Sequence, residues 1–279
     1  MNIDSFKTWL GDDNRKSLIM GILNVTPDSF SDGGQYNNTQ KAIDYALKME
    51  DEGADLIDIG GESTRPGAKQ VDIEEELNRV IPVINGIRKN SNIVISIDTY
   101  KSSVADKAIK TGANIINDIS GLRFDNDMVR LASELQVPVI VMHMLGNPQN
   151  MQDNPLYNDL MKELIIYFHE RVELLTSNGI LKNNIILDPG IGFGKTIDHN
   201  FTIIRELTRI VELGYPVLVG PSRKSFIGHT LNLPPGERIE GTAAAVTAAI
   251  MHGSRIVRVH DVKEMSRVVK VTEQICGIT

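Results

Sequence analysis

The chain has 279 residues, 41% of them apolar, which is enough for a sizeable core and compatible with two domains or one large α/β barrel. A formal net charge of −7 gives the long-range field the wrong sign for nucleic acid or an anionic membrane, so neither partner is expected and an anionic ligand needs a local basic cluster. The single cysteine, Cys276, excludes an intrachain disulfide and suits a reducing compartment. Residues 1–16 lack an apolar signal-like stretch and no run approaches the ~18 apolar residues of a membrane span, so a cytoplasmic protein is expected.

Residues 1–16 read as a lead-in to a first strand over Leu18–Val25. Thr39–Glu52 has helical period, with Ala42, Ile43, Ala46, Leu47 and Met49 on one face and Gly53 as its stop. A strand at Leu56–Gly60 precedes a helix opened by the capping-box pattern Asp72-Ile73-Glu74-Glu75, which Pro82 is expected to kink. Strands follow at Ile93–Asp98, Ile115–Ile119 and Val139–His143, and the polar stretch Gly146–Pro155 reads as a loop rather than a linker between domains. The last strands are Ile185–Asp188, Val217–Gly220 and Ile256–His260. Eight apolar runs alternating with helical segments argue for parallel βαβ construction in a single domain, residues 1–279. They favour an α/β, (β/α)8 TIM barrel over an open doubly wound sheet with two extra strands.

One pattern occurs three times: Gly53-Ala54-Asp55-Leu56-Ile57-Asp58, Gly112-Ala113-Asn114-Ile115-Ile116-Asn117 and Gly253-Ser254-Arg255-Ile256-Val257-Arg258. Each reads as a helix-ending glycine, a short turn and an apolar strand that becomes polar five residues after the glycine. A buried polar group costs a few kcal/mol unless satisfied, so polar residues at matching depth point to a pocket as well as a fold. In a barrel, chemistry collects at the C-terminal ends of the strands. Asn24 stands at the end of the first strand, Asp98 of the third, Asn117 of the fourth, Asp188 of the sixth, and Arg258 and His260 of the eighth.

Two carboxylates and an amide offer acceptors to a donor-rich edge such as a guanidine-like heterocycle, and Arg258 with His260 serves an anion beside it. Asp188-Pro189-Gly190 is also a turn sequence, and Asp58 is assigned to orienting a neighbouring base rather than to a ligand. The loops Gly60–Gly67 and Ser222-Arg223-Lys224-Ser225 set Arg65 and Lys224 beside hydroxyls, an arrangement suited to a diphosphate. Pro189–Thr196 differs from a nucleotide phosphate loop in having proline for the first glycine, whose conformation proline cannot supply. No His-Glu-x-x-His and no Gly-x-Ser-x-Gly occurs, which removes the common metallohydrolase and serine-hydrolase readings.

The run Met20–Gly34, with Gly60–Gly67 and Ser222–Ser225, closely resembles the dihydropteroate synthases of folate synthesis. The resemblance continues through Ile97-Asp98-Thr99, Asn117-Asp118, Met142-His143-Met144, Asp188–Lys195 and Arg258-Val259-His260-Asp261. It implies a homodimeric (β/α)8 barrel, a sulfonamide target, that uses Mg2+ and joins two small-molecule substrates. These are 4-aminobenzoate and (7,8-dihydropterin-6-yl)methyl diphosphate, and the products are dihydropteroate and diphosphate. Catalytic roles are implied for Asp98, Asp188, Lys224, Arg258, His260 and, in the loop Ser29–Gly34, Asp32. The pterin would lie among Asp98, Asn117, Asp188 and Lys224, with Met142 and Arg258 against its faces. Asn24, Thr64, Arg258 and His260 would take the diphosphate, Asn24 also meeting Mg2+, while Arg65, Pro66, Phe193, Lys224 and Ser225 would form the aminobenzoate site.

Charge developing on the methylene as diphosphate leaves would make the displacement loose and SN1-like, with the loops Ser29–Gly34 and Ser63–Gly67 keeping water out. Two alternatives stand beside this reading. A methyltetrahydrofolate-dependent methyltransferase would have no use for Thr64-Arg65-Pro66 and Ser222-Arg223-Lys224, and a non-catalytic pterin-binding protein would not need an intact first loop. Leu145, Ile191 and Pro221 depart from or vary within the family pattern without removing a proposed ligand.

Overall fold

The computed structural model describes residues 1–26, 34–63, 67, 68 and 70–278, with backbone alone for 34–37. Helix α1 (Ile3–Leu10) precedes β1 (Leu18–Asn24), α2 (Gly34–Asp51), β2 (Leu56–Gly60), α3 (Ile73–Arg88), β3 (Val94–Asp98) and α4 (Ser102–Thr111). Then come β4 (Ile115–Asp118), α5 (Met128–Leu135), β5 (Val139–Met142), α6 (Leu160–Ser177), β6 (Ile185–Asp188), α7 (Ile197–Arg205) and α8 (Thr208–Val211). The chain ends with β7 (Leu218–Val219), α9 (Ser225–Leu231), α10 (Ile239–Met251), β8 (Ile256–Val259) and α11 (Val262–Cys276). The strands pair in parallel in the order β6-β5-β4-β3-β2-β1-β8-β7, and a bridge from Leu187 to Val217 joins the two ends. The sheet closes as a barrel, which excludes the doubly wound alternative.

The thrice-repeated glycine pattern has one physical basis. Gly53, Gly112 and Gly253 have φ of 106°, 127° and 98°, a region that side chains disfavour. Each lets the following N–H turn back five residues into the helix: Ala54 to Met49, Ala113 to Ala108 and Ser254 to Ala249, all at 2.9 Å. The next N–H in each repeat then joins a neighbouring strand, Asp55 to Ile19, Asn114 to Ile95 and Arg255 to Val217. An identical exit from three helices therefore delivers three strands into the sheet at the same depth.

Alternation along the strands separates two cores. Ile57, Ile59, Ile95, Ile97, Ile116, Val141, Leu187 and Val257 point outward and pack with the helices. Leu18, Met20, Leu56, Val94, Ile115, Ile140, Ile186, Leu218 and Ile256 point inward and form a layer to which every strand contributes. That layer is completed by Phe6, Trp9 and Leu10 of α1. The segment read as a lead-in is thus a plug for the lower mouth of the barrel, capped by Asn2 and tied down by a 2.7 Å bond from Trp9 Nε1 to the Lys16 carbonyl. Phe6→Ala, at a fully buried position, is expected to cost about 3–5 kcal/mol in urea unfolding while kcat stays within about twofold, because the plug lies at the end of the barrel opposite the chemistry.

Two local expectations change. Helix α3 continues through Pro82 to Arg88, and only one arm of its capping box forms: Asp72 accepts the Glu75 N–H at 2.8 Å, whereas the Glu75 carboxylate pairs with Arg79. Helix α2 begins at Gly34, ahead of the apolar periodicity that starts near Thr39, because its first turn carries polar residues that leave no hydrophobic signature.

Candidate active site

Above the apolar inner layer the barrel turns polar. Asp58, the fully buried midpoint of β2, accepts Asn117 Nδ2 at 3.0 Å and Arg258 Nε at 2.6 Å on the same oxygen. The three residues of the repeated pattern therefore meet across the barrel, with Asp58 bonded to the other two. Arg258 also reaches Asp98 with its other nitrogen at 2.9 Å. Asn24 and Asp98 flank Gly60, where a side chain would fall 3.5 Å from Asp98 Cβ and 3.8 Å from Asn24 Oδ1.

Asp188 ends β6 and forms the turn its sequence suggested. Its Oδ1 accepts the Gly190 N–H at 2.7 Å. Gly190 is required there, since its φ is 69° and a Cβ would lie 2.0 Å from the His143 carbonyl. Lys224 stands at the N-cap position of α9 without a side-chain capping bond, and its ammonium lies 4.1 Å from the centre of the Phe193 ring. Its backbone is braced twice: Arg238 donates to the Arg223 and Lys224 carbonyls at 2.9 and 3.3 Å, and Arg223 pairs with both oxygens of Asp261. Neither brace was legible in sequence, because nothing local pairs Arg223 with Asp261, 38 positions away, or Arg238 with the Arg223 carbonyl.

His260 lies with its Nδ1 3.0 Å from Ser222 Oγ, which itself accepts the His260 backbone N–H at 3.2 Å. Which of the two donates in this contact follows the tautomer of His260, and in either case the bond ties the ring to the segment after β7. Met142 belongs to an apolar cluster with Ile119, Met144 and Met151, against which Phe193 and Tyr100 pack. Met151 comes from the stretch read only as a loop; its single apolar side chain among polar neighbours was the one available signal. Ser225 is exposed and lines an outer hollow with His229, Asn232 and Arg238, and no described hydrogen bond ties it to the ring.

Asp32, Thr64, Arg65 and Pro66 lie outside the described residues. The flanks of 64–66 are held to one ammonium, that of Lys101, which bonds Glu62 on one side and the Val71 carbonyl at 2.7 Å on the other. Glu76 meets the same ammonium, and Tyr100 donates to Glu62 at 2.8 Å.

Burial dominates the electrostatics. It raises Asp98 to about 7, with the Asp58 charge adding to the rise and Arg258 opposing it. Asp188 rises to about 6, restrained by the Gly190 N–H and then by Lys224 and Arg258. Burial followed by Arg258 lowers Lys224 to about 8 and, with Arg223, lowers His260 to about 3, so the imidazole is neutral. Arg258, between two carboxylates, remains charged. Among the described residues no three acidic, histidine or cysteine side chains gather as a metal cage. The amide oxygen of Asn24 is a single hard donor, which would fit Mg2+ carried mainly by phosphate oxygens and water.

A parallel eight-stranded barrel whose upper mouth is ringed by acceptors, with cations at one side, is the architecture of the pterin-binding enzymes, and residues 20–260 match the family described as pterin binding enzyme. The chain is 52% identical to the dihydropteroate synthase of Bacillus subtilis over 258 residues, covering 92% of this chain and 88% of that protein. It is 48% identical to the dihydropteroate synthase of Escherichia coli K12 over 255 residues, covering 91% and 90%. The Yersinia pestis dihydropteroate synthase solved with a sulfonamide drug superposes with a TM-score of 0.90 at 44% identity, covering 95% of this chain and 96% of that one. The Xanthomonas albilineans enzyme in complex with 7,8-dihydropteroate superposes with a TM-score of 0.85 at 37% identity, covering 95% of each chain. The chain belongs to the dihydropteroate synthase family.

Proposed function

We propose that this protein condenses (7,8-dihydropterin-6-yl)methyl diphosphate with 4-aminobenzoate to give 7,8-dihydropteroate and diphosphate. The observation that carries the site assignment is Arg258, whose guanidinium joins Asp58 and Asp98 within the same ring as Asp188 and Lys224. The pterin's amino and ring N–H groups are donors, matching Asp188 and Asp98, while Asn117 and Lys224 donate to its carbonyl and ring nitrogens. Met142 and Arg258 take its faces.

The C–O bond to diphosphate breaks ahead of C–N bond formation. Positive charge then grows on the methylene and ring, where Asp98 and Asp188 stabilise it, as Arg258, His260 and Thr64 receive the departing anion. Mg2+, held by Asn24 and phosphate oxygens, would neutralise charge on the leaving group. The arylamine attacks the methylene and loses one proton. Phe193, Lys224 and Ser225, with Arg65 and Pro66, hold the aminobenzoate, and Asp32 joins the site from the loop after β1. The apolar wall of Ile119, Met144 and Met151 supports this by keeping water from the cation. A homodimer is proposed on the family resemblance, with the exposed Met251, Val271 and Ile275 of α10 and α11 free to contribute. The exposed Cys276, without a partner in the chain, suits a cytoplasmic protein, and no helix among the described residues is long and apolar enough to cross a membrane.

The decisive assay mixes the purified protein with both substrates and Mg2+ and follows diphosphate release together with product mass. Equal amounts of diphosphate and dihydropteroate are expected; absence of the adduct mass rejects the reading.

The raised carboxylates set a pH dependence. Ionised Asp98 and Asp188 bind the heterocycle, so protons compete with it: affinity for dihydropteroate, which carries no phosphate to titrate in this range, falls below about 7 and more steeply below about 6. Calorimetric titration between about pH 5 and 8 reads this, and Asp98→Asn should abolish the upper step while lowering affinity throughout.

A further inference from the structure

The segment Pro189–Thr196, which resembles a phosphate loop, turns its lysine inward. Lys195 is only 3% exposed, and its ammonium meets three acceptors: the Phe193 carbonyl at 2.9 Å, the His143 carbonyl at 3.3 Å and His143 Nδ1 at 3.1 Å. The two carbonyls accept from it, and His143 Nδ1 accepts as well in the tautomer that carries the ring proton on Nε2. Burial, with Lys195 and Arg123 nearby, pushes the His143 imidazole well below its ordinary range. Burial lowers Lys195 to about 7, with Asp188 opposing the fall, and none of its hydrogen-bond partners is a carboxylate.

What the ammonium holds is the backbone of Phe193. Gly192 and Gly194 flank that residue at φ of 81° and 63°, so the chain on either side imposes little restraint on the ring. Three consecutive carbonyls are instead pinned from outside, Gly192 by Gln152 at 2.7 Å, Phe193 by Lys195, and Gly194 by Tyr157 at 2.7 Å. Lys195 is the buried member of the three, and it ties this loop to the end of β5 at His143. The Phe193 ring, so held, lies between the Lys224 ammonium and the apolar cluster of Ile119, Met142, Met144 and Met151.

We infer that Lys195 is a positioning residue for the arylamine: by fixing Phe193 it shapes the aminobenzoate wall and leaves the pterin contacts alone. This rests on the reading of Phe193 under the proposed function, and the wild-type product assay tests that reading first. Given wild-type turnover, Lys195→Met is expected to raise KM for 4-aminobenzoate about tenfold, with KM for the pterin diphosphate changed less than about twofold. In a Phe193→Ala background the same replacement should change the aminobenzoate KM by less than about twofold, because the group it acts through has gone. Should the Met variant be insoluble, Lys195→Gln, whose amide still reaches a carbonyl, carries the comparison with a smaller selective rise. Equal loss toward both substrates, additive effects in the double variant, or an unchanged aminobenzoate KM would overturn the inference.

Discussion

Asp188→Asn is expected to lower kcat/KM by about two to three orders of magnitude with little change in melting temperature. Asparagine is isosteric and its carbonyl oxygen can still accept the Gly190 N–H, now held at 2.7 Å, so the turn after β6 survives. What disappears is the negative charge that the proposed function sets against the heterocycle. A carboxylate about 4 Å from a unit positive charge contributes about 4 kcal/mol at an effective dielectric of about 20, and each ~1.4 kcal/mol of barrier is tenfold in rate. Screening by Lys224 and Arg258, which already lean on Asp188, reduces that figure and sets the lower end of the range. Pterin affinity should weaken as well, because an amide presents one acceptor where two carboxylate oxygens stood. Steady-state kinetics with calorimetry on the same variant separate the two effects, and unchanged kinetics would remove Asp188 from its role.

Arg258→Met is expected to be the most damaging single replacement, through two routes. The guanidinium is the only described partner joining Asp58 to Asp98, and Asp58 is fully buried with its second oxygen unpartnered. Removing one partner of a buried ionic group costs about 3–5 kcal/mol, because the remaining charge has neither water nor counter-charge. The same change removes a cation from the leaving-group side, worth about two to three orders of magnitude in kcat. A second replacement separates the routes. Arg258→Met with Asp58→Asn should recover much of the lost stability in denaturant unfolding, since an amide tolerates burial better than an unpaired carboxylate, yet turnover should stay low. Recovery of both would mean that Arg258 acts only through the fold.

Much of this architecture was legible because it is written in short-range terms. The strands were placed to within a residue or two by apolar runs, and the barrel's repeated exits by glycines whose positive φ no other residue adopts cheaply. Asp98, Asn117, Asp188 and Arg258 stood out because a polar residue on an inward strand position needs a reason. Other features escaped. The plug formed by α1 carries an amphipathic pattern common to surface helices, and nothing local says that Phe6 and Trp9 close a barrel. Helix α3 runs on past Pro82 to Arg88, because tertiary packing of Val80, Val83, Ile84 and Ile87 outweighs one missing backbone bond. Lys195 looked like a failed phosphate ligand until its acceptors on Phe193 and His143 were seen.

The sequence by itself determined the elements, their parallel order and the chemical types gathered at the strand ends, since backbone preference and side-chain polarity depend on a residue and its near neighbours. Tertiary structure alone decided which of those groups share a proton or a charge. Arg258 and Asp58 are 200 positions apart and Arg258 and Asp98 are 160 apart, and their contact exists because β8 closes beside β1. The shifted acidities of Asp98 and Asp188 follow from that closure, which removes water from both carboxylates and sets other charges beside them.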